Sequence, residues 1–379
     1  MTTGNTFETP PSASVNRVQI IDLPGLPLDE AARGLRGDEL ISSRALMSLA
    51  APHASVFGLN AADLPSVLPD LTRSKALVRR DAALAVGRAL ASGGPAARDA
   101  AQEIAARLGR NLGWLLATLH RGDEINRRVR PDWQPADWEK WAKIRTVWLG
   151  GGLSSGLLGE TIAASARSLL DELGYIDVDV RLSPYTSLIA LMGAARTLTL
   201  LPDEPIRRRA LGFDFGHTLV KRAVLDYEGG VLATMEALPP VLTEWSEIYP
   251  AEEDRAALGR NVLRFVAQII ARTAAERPDA EPYAVTSVAA YKQNGRLAGN
   301  GPYASIHAAG GNRLANDILS EATSRAAGRA IAVEPIHDGT AASLAHAGAP
   351  RSAVIMLGTA LGVGFPPNRE VGLRAIGLR

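Results

Sequence analysis

With 379 residues the chain is long enough to bury one large core or two smaller ones, and two lobes are the expectation. An apolar share of 46% beside 21% charged residues predicts a soluble globular protein, and a net charge of +1 argues against a nucleic-acid face or a strongly acidic partner. The absence of cysteine excludes disulfides, thiolate metal sites and a cysteine nucleophile, and no apolar run reaches the roughly 18 residues of a membrane span.

The start, "MTTGNTFETPPSASVN", lacks a basic segment followed by an apolar one. It reads as a disordered tail over 1–17, not as a secretion signal, and a cytoplasmic location follows as the expectation. "RVQIID" predicts a short strand. From about Leu28 to His120 the pattern is helical, clearest in "AARDAAQEIAARLGRNLGWLLATLH", whose apolar residues recur at three- and four-residue steps. Residues 121–145 break that rhythm with Pro131 and Pro135 and hold Trp133, Trp138 and Trp141. They are expected to pack as a surface excursion or a subunit contact, a lid that stacks on a base or sugar being the alternative.

"TVWLGG" then reads as a buried strand, followed by a helix to about Leu173, a strand "IDVDVRL" and a helix "TSLIALMGAARTL", a grammar that implies a parallel sheet. Residues 200–209, "LLPDEPIRRR", read as a linker. Beyond it, "ALGFDFGHTLVKRAVLDYEGGVLATMEAL" predicts an antiparallel three-stranded meander with turns at "GHT" and "EGG". A long helix over roughly Ala251 to Glu276 precedes a strand "YAVTSVAAY", a helix "GGNRLANDILSEATSRAAG", a strand "AIAVEPI" and a short helix "DGTAASLAHAG". "SAVIMLGTALGVGF" closes the series as strand–turn–strand.

Four stretches carry candidate chemistry. In "FDFGHT", Asp214 ends a strand, Gly216 lets backbone N–H groups approach a phosphate, Thr218 can donate to it, and Asp214 can hold a metal ion or its waters. An ordinary hairpin turn uses the same residue types. In "IHDGTAAS", Asp338 either caps the helix that it begins or faces a cleft and takes a proton from a substrate hydroxyl. "MLGTALGVGF" is a second glycine turn between strands, with Thr359 placed like Thr218, and the two turns together suggest two lobes facing one polyphosphate. "VWLGGGLSSGLLGE" misses the dinucleotide spacing but fits G-x-S-x-G from Gly152 to Gly156. A serine hydrolase built on Ser154 would draw its partners from Asp214, Asp338, His337 and His346.

The phosphate-type turns resemble those of the sugar kinase, heat-shock protein and actin superfamily, and within it the ROK family (repressor, open reading frame, kinase). Asp214, Gly216 and Thr218 are similar to its first phosphate motif. Gly358, Thr359, Gly362 and Gly364 are similar to the second, and Gly150, Gly151 and Gly152 to its adenosine loop. "HDGTAASLA" resembles the helix bearing the catalytic aspartate, here Asp338. The order is altered, since the family's adenosine loop follows its first phosphate motif and here precedes it. The resemblance therefore implies an α/β, two-lobed actin-like ATPase (ribonuclease H-like) fold, circularly permuted. One lobe would comprise 18–199 with 349–379 and the other 210–348, joined through 200–209.

It further implies ATP-dependent phosphorylation of a hydroxyl on a sugar-like small molecule, with Asp338 as base and Asp214 organising Mg²⁺. The resemblance implies a homodimer as well, while the charge and the lack of a long apolar run predict no nucleic-acid or membrane partner. Several family features differ. The zinc-binding cysteines are missing, so no zinc is expected. His337 replaces an asparagine, Ala360 replaces a glycine, and the Glu-x-x-His that contacts sugar is reduced to Glu370 in "EVGL", with Glu39 as a further sugar-contacting candidate. These departures favour a non-catalytic sugar- or nucleotide-binding protein as the alternative to a kinase.

Overall fold

The computed structural model describes residues 14–60, 73–197, 209–229, 231–243, 254–368 and 377–378. The linker at 200–208 and most of the N-terminal tail lie outside them. Residues 14–17 do not continue that tail. They form a 3-10 turn, capped by Ser14, whose Val15 is fully buried. The strand expected at "RVQIID" is also absent: Gln19 makes one isolated antiparallel bridge to Arg36, in a segment broken by Pro24 and Pro27.

Helices α1 (Gly37–Leu40), α2 (Ser43–Ala50), α3 (Arg73–Ser92) and α4 (Pro95–Arg121) lie in the first third. α4 shows why its ends lie where they do. Pro95 occupies the first turn, where a missing N–H costs nothing, and Gly122 closes the helix at φ +55° behind His120 and Arg121. Short helices α5 (Glu124–Arg127) and α6 (Pro135–Ala142) follow. Trp133, Trp138 and Trp141 are 6%, 2% and 2% exposed, with Trp133 edge-on to Trp138 at 4.9 Å and Trp141 edge-on to Phe365 at 5.2 Å. The tryptophans are core side chains, which leaves no face free for a stacking lid. Trp138→Ala is accordingly expected to cost about 3–5 kcal/mol, seen as a lower midpoint of urea unfolding.

Strand β1 (Thr146–Gly150), helix α7 (Gly156–Glu172), strand β2 (Asp179–Leu182) and helix α8 (Ile189–Arg196) come next. The meander expected from the sequence is formed by β3 (Arg209–Phe215), β4 (Leu219–Glu228) and β5 (Val231–Leu242). Helix α9 (Arg255–Glu276), strand β6 (Tyr283–Val288) and a small hairpin of β7 (Tyr291–Gln293) with β8 (Arg296–Ala298) precede α10 (Ile306–Gly310) and α11 (Ala315–Ala327). The chain continues with β9 (Ala332–His337), α12 (Asp338–Leu344), β10 (Ser352–Leu357), β11 (Leu361–Gly364) and β12 (Gly377–Leu378).

The result is a mixed α/β structure with two main sheets, ordered β11-β10-β1-β2 and β12-β5-β4-β3-β6-β9. Both contain the same run: an antiparallel hairpin whose first strand also pairs in parallel with a third strand, which pairs in parallel with a fourth. In one sheet this run is β4-β3-β6-β9 and in the other β11-β10-β1-β2. The second run takes its hairpin from the end of the chain and its parallel pair from the first half. Residues 377–378, grouped from the sequence with the adenosine side, instead pair in parallel with β5. Apolar cores lie against each sheet, and α8 and α12 pack together between them, with Leu191, Met192 and Ala342 in one cluster with Ala223 and Val354. Among the described residues no helix is long and apolar enough to cross a membrane.

Candidate active site

The candidate side chains gather at one end of four neighbouring strands of the larger sheet. Lys221 on β4 stands opposite Asp214 on β3 and Asp214 opposite Ser287 on β6, while His337 ends β9 opposite Val288, one residue past Ser287. Period-two alternation explains this placement: Phe213 and Phe215 point into the core beneath α9, so Asp214 between them points the other way. The group lies at the carboxyl ends of the parallel strands, the edge at which α/β sheets bind ligands.

The Asp214 side chain, 8% exposed, is fully engaged. Its Oδ2 lies 2.7 Å from Lys221 Nζ and its Oδ1 accepts a 3.0 Å hydrogen bond from Ser287 Oγ. Lys221 Nζ also donates to the carbonyl of Ser187, in the turn before α8. Asp338 opens α12 and is the second carboxylate of the site. The cap of that helix is His337, whose Nδ1 accepts the Thr340 N–H at 3.2 Å, so Asp338 is not used as the cap. Its Oδ1 accepts the Gly339 N–H at 2.7 Å and lies 3.1 Å from His337 Nε2.

Burial, and then the nearby Asp214 charge, push the Asp338 carboxyl up to about 7, against smaller lowering effects of the Gly339 N–H and Lys221. Burial holds His337 neutral by pushing it down to about 3, and Tyr291 stacks on its ring at 4.5 Å. With Nδ1 accepting, the neutral ring carries its proton on Nε2, beside Asp338.

The glycine-rich loop closes the other side. Gly150 ends β1, and Gly151 turns the chain at φ +92°, where a Cβ would lie 2.6 Å from the Leu357 carbonyl oxygen; only glycine fits. Leu357 ends β10, immediately before Gly358 and Thr359, so the loop of Gly151 and Gly152 abuts the second glycine turn. That hairpin returns through Gly362, whose Cβ position lies 3.6 Å from Asp338 Oδ1. Gly151 N–H also binds the Thr186 carbonyl at 3.1 Å, one residue from Ser187. A chain of contacts therefore runs from Leu357 and Gly151 to Thr186 and Ser187 and on to Lys221 and Asp214, while Gly362, on the same hairpin as Leu357, borders Asp338, whose carboxyl feels the Asp214 charge. The first turn leaves these contacts two residues past Asp214, with the Gly216 carbonyl held by Tyr303 Oη at 2.8 Å and Thr243 Oγ1 at 3.1 Å. Thr218 follows in the same turn, its carbonyl accepting Thr243 N–H at 3.1 Å.

Other candidates lie elsewhere. Glu39 is used locally: its carboxylate accepts the Arg36 N–H at 2.9 Å at the head of α1. Glu370 lies outside the described residues. Ser154 is fully buried and donates to the Gly151 carbonyl at 2.8 Å, His346 meets Ser183 at 3.0 Å, and His337 is used on Thr340. Among the described residues, then, Ser154 Oγ has no histidine partner. Sequence reasoning missed Lys221, Ser287 and Tyr291.

Among the described residues no group of three or more histidine and carboxylate side chains could by itself hold a metal. One or two carboxylates suffice for Mg²⁺ when phosphate oxygens and water complete its shell, and Asp214 fits that requirement. Compared with known proteins, the chain matches no family model, no curated protein and no solved structure.

Proposed function

We propose that the protein is an ATP-dependent phosphotransferase acting on a hydroxyl of a sugar-like small molecule, built on a circularly permuted two-lobed actin-like ATPase fold of ROK type. The observation that carries the reading is that chain of contacts, which joins the glycine loop to Asp214, with the second glycine turn bordering Asp338. The shared strand order supports the permutation. Placing β10 and β11 ahead of β1 makes both sheets run hairpin first and parallel pair second in chain order.

Asp338 accepts the proton of the acceptor hydroxyl as that oxygen bonds to the terminal phosphorus and the bond to the departing diphosphate breaks. A carboxyl held near neutrality suits this role. Lys221 and the N–H groups of the second glycine turn offset phosphate charge. His337 Nε2, 3.1 Å from Asp338 Oδ1, orients that carboxyl. Asp214 would hold Mg²⁺ together with phosphate oxygens, and the ion would neutralise charge on the phosphates. The partners are the nucleotide and a small polyol.

The test is a thermal-shift and turnover screen with ATP and Mg²⁺ across a sugar panel. A stabilising shift with nucleotide and turnover with one acceptor class are expected. Nucleotide binding without turnover would favour the non-catalytic reading, whereas no response to any nucleotide, with fluorophosphonate labelling of Ser154, would overturn both.

A further inference from the structure

The side chain nearest Asp214 is a cation, and that bears on how metal enters the cleft. Lys221 Nζ lies 2.7 Å from Asp214 Oδ2 and at the same time donates to the Ser187 carbonyl. Ser287 holds the remaining Asp214 oxygen. Neither contact is incidental, because the β3–β4 register places Lys221 directly opposite Asp214. The second contact reaches a conformationally unusual segment: Thr186, next to Ser187, adopts φ +42°, a value β-branched residues rarely take, while its carbonyl holds Gly151.

We infer that Lys221 is the resident counter-ion of Asp214, competing with a divalent metal for Oδ2, and that it ties this choice to the glycine loop through Ser187. This rests on the proposed nucleotide cleft for its biological meaning, but the competition itself concerns only the protein and the ion. With Lys221 in place, Asp214 presents no unneutralised charge to a free divalent ion. A metal gains the carboxylate only by moving the ammonium, and phosphate oxygens arriving with the metal give the ammonium another anion to meet. Lys221 is thus a positioning residue: it keeps the cleft closed to free metal and couples metal entry to phosphate entry.

The experiment is a Mn²⁺ titration followed by electron paramagnetic resonance on the full chain without nucleotide. Lys221→Met should bind one Mn²⁺ roughly tenfold or more tightly than wild type, and the gain should vanish in the Asp214→Asn, Lys221→Met double variant. Lys221→Arg, which keeps the charge, should behave as wild type. Removing one partner of a partly buried pair is destabilising, so Lys221→Gln, which can still donate to Asp214 and Ser187, provides a second neutral variant with the same expected gain. Equal Mn²⁺ affinity in wild type and both neutral variants, or a gain that persists without Asp214, overturns the inference. Calorimetry of ADP with wild type decides the nucleotide reading separately, because the nucleotide-free titration does not depend on it.

Discussion

Asp338→Asn is expected to lower turnover by about 10²–10⁴-fold while leaving nucleotide binding in place, because it removes a proton acceptor and keeps the shape of the side chain. The wild-type rate should rise with pH through about 7, the value to which burial and then Asp214 push the Asp338 carboxyl, and the residual rate of the variant should lose that limb. Since the two carboxylates interact, the midpoint belongs to the pair.

Stability should respond in the opposite sense to activity. The folded carboxyl titrates near 7, above its ordinary value of 3.8, so the native state binds the proton more tightly than the unfolded chain. Wild-type stability should therefore fall as pH rises between those two values and stay lowered above them. The amide introduced by Asp338→Asn carries no charge at any pH, so the variant should be more stable than wild type at pH 8, by on the order of 1–3 kcal/mol, and indistinguishable from it near pH 3. Denaturant melts of both proteins at the two pH values check this. A variant less stable than wild type at pH 8 would mean that the Asp338 carboxylate is favourably placed in the native state, contrary to its burial.

Much of this site was legible in the sequence, and the omissions have identifiable physical causes. β3 and β4 could be placed because alternating apolar residues flank the tight "GHT" turn, and Asp214 and Asp338 both follow apolar runs that end at glycine or helix signals. Lys221 was readable in principle. Once the hairpin turns between His217 and Thr218, pairing outward puts residue 221 opposite residue 214, as the register has it. It was missed because a lysine in a strand otherwise reads as a solvated position. Tyr291 could not be read, since β7 and β8 are three residues each and too short to show a period. The N-terminal turn was lost for a related reason. Ser14 to Arg17 look like the polar tail they adjoin, but Asn16 exchanges hydrogen bonds of 2.8 and 2.7 Å with the backbone of Leu361 on β11, a contact 345 positions away that no local pattern encodes. Similarly, Asp338 at the head of a helix was ambiguous between cap and base until His337 was seen to supply the cap.

What holds Asp338 in place is the packing of α12 on α8, and a large stability effect is expected there. Gly193 on α8 faces the backbone of α12 so closely that a Cβ on it would lie 1.5 Å from the Ala341 carbonyl oxygen and 2.5 Å from its carbon. No rotamer relieves such a contact, because the obstructing atoms belong to a helix backbone whose own register is fixed by β9 and β11. Gly193→Ala must therefore separate the two helices. Overpacking of this kind typically costs about 1–3 kcal/mol and occasionally more, and backbone against backbone belongs at the upper end. Because α12 carries Asp338 three residues before Ala341, the displacement should also reduce turnover in whatever fraction remains folded. Gly87 on α3 supplies the control, since a Cβ there meets nothing within 4 Å. Gly87→Ala should be neutral or stabilising by about 0.5–1 kcal/mol, as expected for replacing glycine inside a helix. Urea unfolding of the two variants separates the outcomes. If Gly193→Ala unfolds at the wild-type midpoint, α8 and α12 are not in backbone contact, and the position assigned to Asp338 fails with them.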